Sequence, residues 1–79
     1  MGDTLHLTAV IWPESGGYVS QCPELGVASF GATPTDARTA LKEAVELWVE
    51  NAKELGLLEE VRAVFATDER YATPLDVAV

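Results

Sequence analysis

Residues 33–56 read TPTDARTALKEAVELWVENAKELG, a stretch that predicts one long amphipathic helix. The Thr33 hydroxyl suits an N-cap, Pro34 suits the first helical position, and Gly56 suits the residue after a helix end. At about 100° per residue, the apolar side chains of residues 34–55 gather on one broad side, which we expect to pack on a sheet. That side comprises Ala37, Ala40, Leu41, Ala44, Val45, Trp48, Ala52 and Leu55.

Leu47 and Val49 lie at the two edges of this apolar arc. Apolar residues at such edges are often half-buried without any further role, and they can also meet a second subunit. The sequence leaves both interpretations open.

Three β-prone runs precede the helix. Leu5–Trp12 alternates at its start and predicts a first strand, which we place at the centre of the sheet. The glycines and proline of residues 13–17 predict a hairpin into a second strand, Tyr18–Cys22. Residues 23–26 end that strand because proline cannot donate to a ladder, and Val27–Phe30 predicts a third. The sheet should therefore be three-stranded and antiparallel.

The pattern weakens after Gly56. Leu57–Phe65 suits a short helix, our preferred interpretation, or an irregular connection. Thr67–Arg70 is polar and predicts a loop, and Pro74–Val79 alternates as a final, returning strand would. The expected class is α+β, in the order β-β-β-α-β, within a single domain over residues 1–79.

Composition and net charge limit the classes of partner and of cellular location that we expect for the chain. The 79 residues carry 5 Lys and Arg against 13 Asp and Glu, a net charge of -8, which disfavours direct binding to nucleic acid. Such acidity either serves solubility or complements a basic protein partner. Cys22 is the single cysteine, so no internal disulfide forms, and neither a secretory signal nor a long apolar run is visible. We expect a cytoplasmic protein without a membrane partner.

No pattern in the chain predicts catalysis, a metal or a cofactor. His6 is the single histidine, and its place in the alternation of the first strand suggests a surface or edge position. Cys22 precedes Pro23 at a strand end, where a small buried hydrophobe is the expected role. The glutamates of the helix lie on its polar side, where solvent is the ordinary neighbour. We therefore expect a protein that is not an enzyme.

A set of ordered motifs runs through residues 5–52. An aromatic turn leads to Gly17 and Tyr18, then to a Pro23-Glu24-Leu25 turn. A glycine and a helix cap follow, and then an alanine-rich helix. The residues that carry the pattern are Trp12, Pro13, Glu14, Gly17, Tyr18, Val19, Cys22, Pro23, Glu24, Leu25, Gly31, Ala32, Thr33 and residues 37–48, among them Ala37, Ala44 and Trp48.

Together these motifs resemble the HicB family of antitoxins over residues 5–52. The resemblance implies a degenerate ribonuclease-H-like core with the order of elements that periodicity predicts. It also implies a role, because HicB-type antitoxins bind small basic HicA-type toxins that cleave mRNA, and cover their active surface. The acidic charge suits such a partner. This chain has Leu25-Gly26-Val27 where many members have Pro-Gly after the turn leucine, and so resembles the shorter solo-type members.

The sequence and the resemblance together predict an antitoxin that also forms a dimer or tetramer. Its expected partner contacts are Glu14, Tyr18 and Glu24 at turns, followed by Trp12, although Trp12 and Tyr18 could instead be cross-strand packing partners. We expect no operator-binding tail, because residues 53–79 hold few basic side chains. The alternatives are a solo oligomeric interaction module without a toxin, and a residual nuclease suggested by the family's ancestry.

Overall fold

The computed structural model describes residues 5–64 and 71–78. It confirms the α+β class and the β-β-β-α order, with the strands in one antiparallel sheet of order β1-β2-β3. A second short helix follows the first, as preferred for this stretch of sequence. The elements are β1 (Val10–Glu14), β2 (Gly17–Cys22), β3 (Val27–Gly31), α1 (Pro34–Glu54) and α2 (Leu58–Val64).

The first strand begins later than predicted and extends further. It pairs with β2 from Val10 opposite Gln21 to Glu14 opposite Gly17, which leaves a two-residue turn in which Gly16 has φ 79°. Proline at position 13 is tolerated because β1 is an edge strand. The predicted part over residues 5–9 forms no ladder: continuing the register would place Thr8 opposite Pro23, which has no N–H to donate.

Two further expectations about the sheet are wrong. β2, not the first strand, is central. The returning strand is not seen either, because residues 71–78 carry no strand and their side chains are exposed, with Leu75 85% accessible. A short alternation beginning at a proline specifies a strand only if a neighbouring edge accepts it. Val79 and the predicted loop Thr67–Arg70 lie outside the described residues.

Small side chains hold α1 against the sheet. The Ser20 hydroxyl on β2 donates a hydrogen bond to the Ala37 carbonyl oxygen, with an O···O distance of 2.7 Å. At Gly31 the two layers come so close that a Cβ atom there would lie 2.7 Å from the Ala37 Cα. The buried residues of the described chain are correspondingly small or of medium size: Ser20, Cys22, Ala37, Leu41 and Ala52.

The predicted helix start is confirmed. The Asp36 N–H donates to the Thr33 hydroxyl over 3.0 Å, and Pro34 opens the first turn. The helix ends at Glu54, and Gly56 takes φ 74° just beyond it. Leu55 is exposed, contrary to the prediction from the helical wheel, because it occupies the C-cap, where the chain leaves the helix.

Candidate functional site

The hairpin turn separates the two aromatic residues that the sequence places there. Trp12 lies opposite Val19 in the ladder, whereas Tyr18 lies opposite Pro13 and Gly31. Adjacent residues of a strand point to opposite faces, so Trp12 and Tyr18 are on different faces of the sheet. They are therefore not cross-strand packing partners.

Trp12 instead contacts a carboxylate on its own strand. Its indole Nε1 donates to Glu14 Oε1 at 3.4 Å, at an exposed position beside the turn. Tyr18 is half-buried on the α1 side of the sheet. Of the expected contact residues, the structure thus brings Trp12 and Glu14 together and leaves Tyr18 across the sheet.

Glu24 has a structural environment at the opposite end of β2. Its carboxylate accepts hydrogen bonds from the Thr8 N–H at 3.1 Å, from the Thr8 hydroxyl at 2.6 Å and from the Cys22 thiol at 3.4 Å. The side chain thereby supplies the acceptor for the Thr8 N–H in the region where the ladder stops at Pro23. Glu24 ties residues 5–9 to the β2–β3 turn.

These contacts change the pKa values of both Glu24 and Cys22. Partial burial raises the pKa of Glu24, but the hydrogen bonds from Thr8, its own backbone N–H and Cys22 outweigh that effect and hold the pKa below its ordinary value. Burial raises the pKa of Cys22, and the hydrogen bond and negative charge of Glu24 add to the rise. Cys22 is therefore a protonated, buried thiol, as expected for a structural cysteine.

The expected contact residues do not form one site. Glu14 flanks the β1–β2 turn and Glu24 belongs to the β2–β3 turn, so the length of β2 separates them. Six residues at about 3.3 Å each put roughly 20 Å between the two ends. A single small contact patch would not include both carboxylates.

An acidic stripe runs along the outer side of α1, and sequence reasoning gave it only a solvent role. Its carboxylates fall within an arc of about 80° and extend over about 16 Å of helix. Leu47, which is 64% exposed, lies about 20° beyond one edge of this arc, beside Glu43 and Glu50. The stripe consists of Glu43, Glu46, Glu50 and Glu54, all exposed.

The second feature that sequence reasoning missed is an apolar row on the sheet face away from α1. The register places Trp12, Val19 and Phe30 side by side across β1, β2 and β3. Phe30 is 53% exposed. Its ring lies over Gly17, where a Cβ atom would collide with the Phe30 ring and lie 2.8 Å from the Gly31 carbonyl oxygen. Alternation along β3 places Phe30 on the face opposite Val27 and Ser29, but the register with β2 decides which of the two faces points away from α1.

Several motif residues have structural roles visible here. Thr33 caps α1, Gly31 allows its close approach at Ala37, and Pro23 ends the β1–β2 ladder. Ala44 and Trp48 are half-buried along α1. The motif order thus coincides with the positions on which this packing depends.

The described residues give little support for other kinds of site. Within residues 5–64 and 71–78, no three His, Cys, Asp or Glu side chains are grouped so as to hold a metal ion. A groove of about 540 Å³ between residues 5–7 and α1 has mixed lining: apolar Leu5, Leu7, Val45 and Val49, and charged Lys42, Glu46, Glu50 and Lys53. No helix in the described part is both long and apolar enough to cross a membrane.

Comparisons of the chain with protein-family models, curated proteins and solved structures found no significant match. The likeness to HicB antitoxins therefore rests on the ordered motifs of the sequence.

Proposed function

We propose that this chain is a HicB-like antitoxin that binds and neutralises a small basic, mRNA-cleaving toxin of the HicA type. The motif order over residues 5–52 and the net charge of -8 support this role. The β-β-β-α order agrees with that part of the fold that the resemblance implies and supports the role as well, whereas the returning strand of that fold is not seen in residues 71–78. In this proposal the chain acts by binding, in the cytoplasm, without a cofactor or a catalytic residue of its own.

The acidic stripe on α1 is the observation that carries the proposal. Carboxylates spaced along one side of a helix attract a basic surface and speed its association. Leu47 adds an exposed apolar side chain at one edge of the stripe, beside Glu43 and Glu50, so charged and apolar groups lie together on this side of the helix. That combination is typical of protein-binding surfaces. Glu14 and Trp12 at the hairpin turn remain a second proposed contact.

Capture of a partner from cell extract at low and high salt tests the proposal. The tagged full chain is used to capture basic proteins from its own cell extract, and the captured protein is assayed for RNA cleavage with and without added chain. We expect one small basic ribonuclease that the chain inhibits and that is released when salt rises from about 0.05 M to about 0.5 M. Capture that ignores ionic strength, or a captured protein without ribonuclease activity, would contradict the proposal.

Variants then locate the contact. Glu50→Lys should weaken capture, and Glu14→Lys reports on the hairpin turn. Glu60→Lys on α2 makes the same charge change at an exposed position outside the stripe, so it is the matched control. If Glu60→Lys weakens capture as much as Glu50→Lys, then net charge and not the stripe governs binding.

A solo oligomeric interaction module without a toxin is the second candidate. The apolar row on the sheet face away from α1 favours it, because such a face suits self-association. Magnesium-dependent RNA cleavage by the purified chain would contradict both candidates and support the residual nuclease.

A further inference from the structure

Residues 5–9 lie against the folded body without belonging to its sheet. The β1–β2 ladder begins at Val10, and Pro23 stops it from continuing toward the N-terminus. Within the described structure, Thr8 makes the hydrogen bonds of this segment. It donates two to the Glu24 carboxylate, from its N–H over 3.1 Å and from its hydroxyl over 2.6 Å. We name residues 5–9 the strap, which is thus fastened to one side chain of the β2–β3 turn.

The strap presents different side chains to its two sides. Leu5 and Leu7 line the groove against α1, whereas Thr8 lies beside Glu24 and lines a second groove with it. This alternation is that of an extended chain. One side of the strap therefore carries the fastening, and the other side carries two apolar side chains toward the helix.

The two leucines of the strap match two valines of α1. Side chains two positions apart in an extended chain are separated by about 6.6 Å, and side chains four positions apart in a helix by about 6 Å. Leu5 and Leu7 can therefore lie along Val45 and Val49, which line the same groove. All four side chains are half-buried. The strap is thus the segment that covers this flank of α1.

The contact between the strap and α1 is loose. A groove of about 540 Å³ remains between them, whereas a protein core leaves few voids larger than a water molecule. Segments with few buried contacts open locally while the rest of a protein stays folded. Opening of the strap would leave in place the ladder from Val10 and the buried residues, none of which belongs to the strap: Ser20, Cys22, Ala37, Leu41 and Ala52.

Opening of the strap would also expose an apolar flank beside carboxylates. Val45 and Val49 are followed in the sequence by Glu46 and Glu50, which belong to the acidic stripe and line the same groove. The uncovered surface would therefore combine two apolar side chains with two carboxylates. Two lysines border it, of which one lies 4.0 Å from the Glu46 carboxylate: Lys42, which makes this contact, and Lys53.

We propose that the strap is an autoinhibitory cover, which Glu24 holds closed over the Val45–Val49 flank of α1. When the strap opens, a partner takes the place of the two leucines, with apolar groups on the valines and basic groups on Glu46 and Glu50. A partner that binds only the open state loses apparent affinity in proportion to the fraction of closed molecules. This regulation rests on the proposed function, whereas the opening of the strap is a property of the chain alone.

Thiol labelling measures the opening on the isolated full chain. Val45→Cys places a thiol of nearly the size of valine under the strap, and Leu47→Cys gives the rate of an exposed site. Cys22 is buried and reports global unfolding. With a bulky neutral maleimide, we expect Val45→Cys to react more slowly than Leu47→Cys and much faster than Cys22. A rate equal to that of Leu47→Cys would show that nothing covers the flank, and a rate equal to that of Cys22 would show that the strap does not open separately.

Replacing Glu24 tests the fastening. In the Val45→Cys background, Glu24→Ala should raise the labelling rate about tenfold or more, because two hydrogen bonds to a charged acceptor are lost. Glu14→Ala makes the same change beside the other turn and should leave the rate within about twofold. Thr8→Val removes one of the two bonds and keeps every carboxylate, so it should raise the rate by a smaller factor.

Folding of each variant is checked by circular dichroism, and if Glu24→Ala unfolds, then Thr8→Val decides. A labelling rate that neither change raises would refute the fastening by Glu24. An equal rise in the labelling of Cys22 would refute it as well, because the whole chain and not the strap would then be opening.

Capture from cell extract separates the cover from the antitoxin role. The basic ribonuclease expected above should bind Thr8→Val about threefold or more tightly than the native chain, because more molecules are open. Thr35→Val makes the same change at an exposed position and should leave capture unchanged. Weaker capture by Thr8→Val would show that the strap belongs to the binding surface and would overturn the autoinhibition. If even the native chain captures no ribonuclease, the proposed function fails, and the labelling rates still decide whether Glu24 holds the strap over α1.

Discussion

Replacing Gly31 with alanine should severely destabilise the protein, although the backbone there permits any residue. The φ of Gly31 is not positive, so backbone reasoning alone predicts that alanine would stabilise by about 0.4 to 1 kcal/mol through the unfolded state. The packing predicts the opposite sign. An alanine Cβ would lie 2.6 Å from the Asp36 carbonyl carbon and 2.7 Å from the Ala37 Cα, where ordinary contacts begin at 3.4 Å.

The size of the expected loss in unfolding free energy follows from which atoms must move to admit the alanine Cβ. The obstructing atoms belong to the α1 backbone and the nearest is the Ala37 nitrogen, so the helix must shift by about 1 Å, and overpacking of this kind costs about 1 to 3 kcal/mol. The same shift stretches the 2.7 Å hydrogen bond from Ser20 to Ala37, which contributes about 1 kcal/mol. We expect a loss of about 3 kcal/mol, comparable with the whole stability that such a small core supplies.

Urea unfolding followed by tryptophan fluorescence measures this change, with Gly56→Ala as the calibrating variant. Gly56 has φ 74° and open space around it, so alanine there destabilises the protein only through its backbone conformation, by about 1 kcal/mol. Gly31→Ala should lose clearly more than Gly56→Ala. An unfolding free energy for Gly31→Ala equal to or above that of the native chain would refute the close-packing argument.

Three further outcomes are expected. Thr33→Ala should lower the unfolding free energy by about 1 kcal/mol in the same urea assay, because the cap of α1 is lost; an unchanged midpoint would contradict the cap. The pKa of Glu24 is lowered in the folded state, so its contribution is complete above its unfolded pKa near 4.5 and is lost as pH falls through the lower folded pKa. Thermal melts from pH 7 to pH 2 should therefore show a smaller loss for Glu24→Gln than for the native chain, and parallel losses would contradict the role of its contacts with Thr8. The Cys22 thiol should react with a thiol reagent at neutral pH only on unfolding, so rapid labelling in native buffer would show that it is accessible.

Local signals in the sequence predict the helix and the hairpins well. The cap at Thr33, the stop at Gly56 and the glycine turn before β2 each involve neighbouring residues, so their physics is contained in a short window. The small residues of α1 predict its buried side for the same reason. The exception, Leu55, lies at the helix end, where a wheel that assumes one more helical residue assigns the wrong environment.

The features that local sequence signals do not predict depend on pairing between residues far apart in the chain. The first strand stops short of Leu5 because of Pro23, a residue distant in the sequence that would lie opposite Thr8. Glu24 looks like an exposed turn carboxylate in the sequence, and only the folded chain shows it bound to Thr8, sixteen positions away. The same limitation affected Phe30, whose outward position depends on the register of β3 with β2.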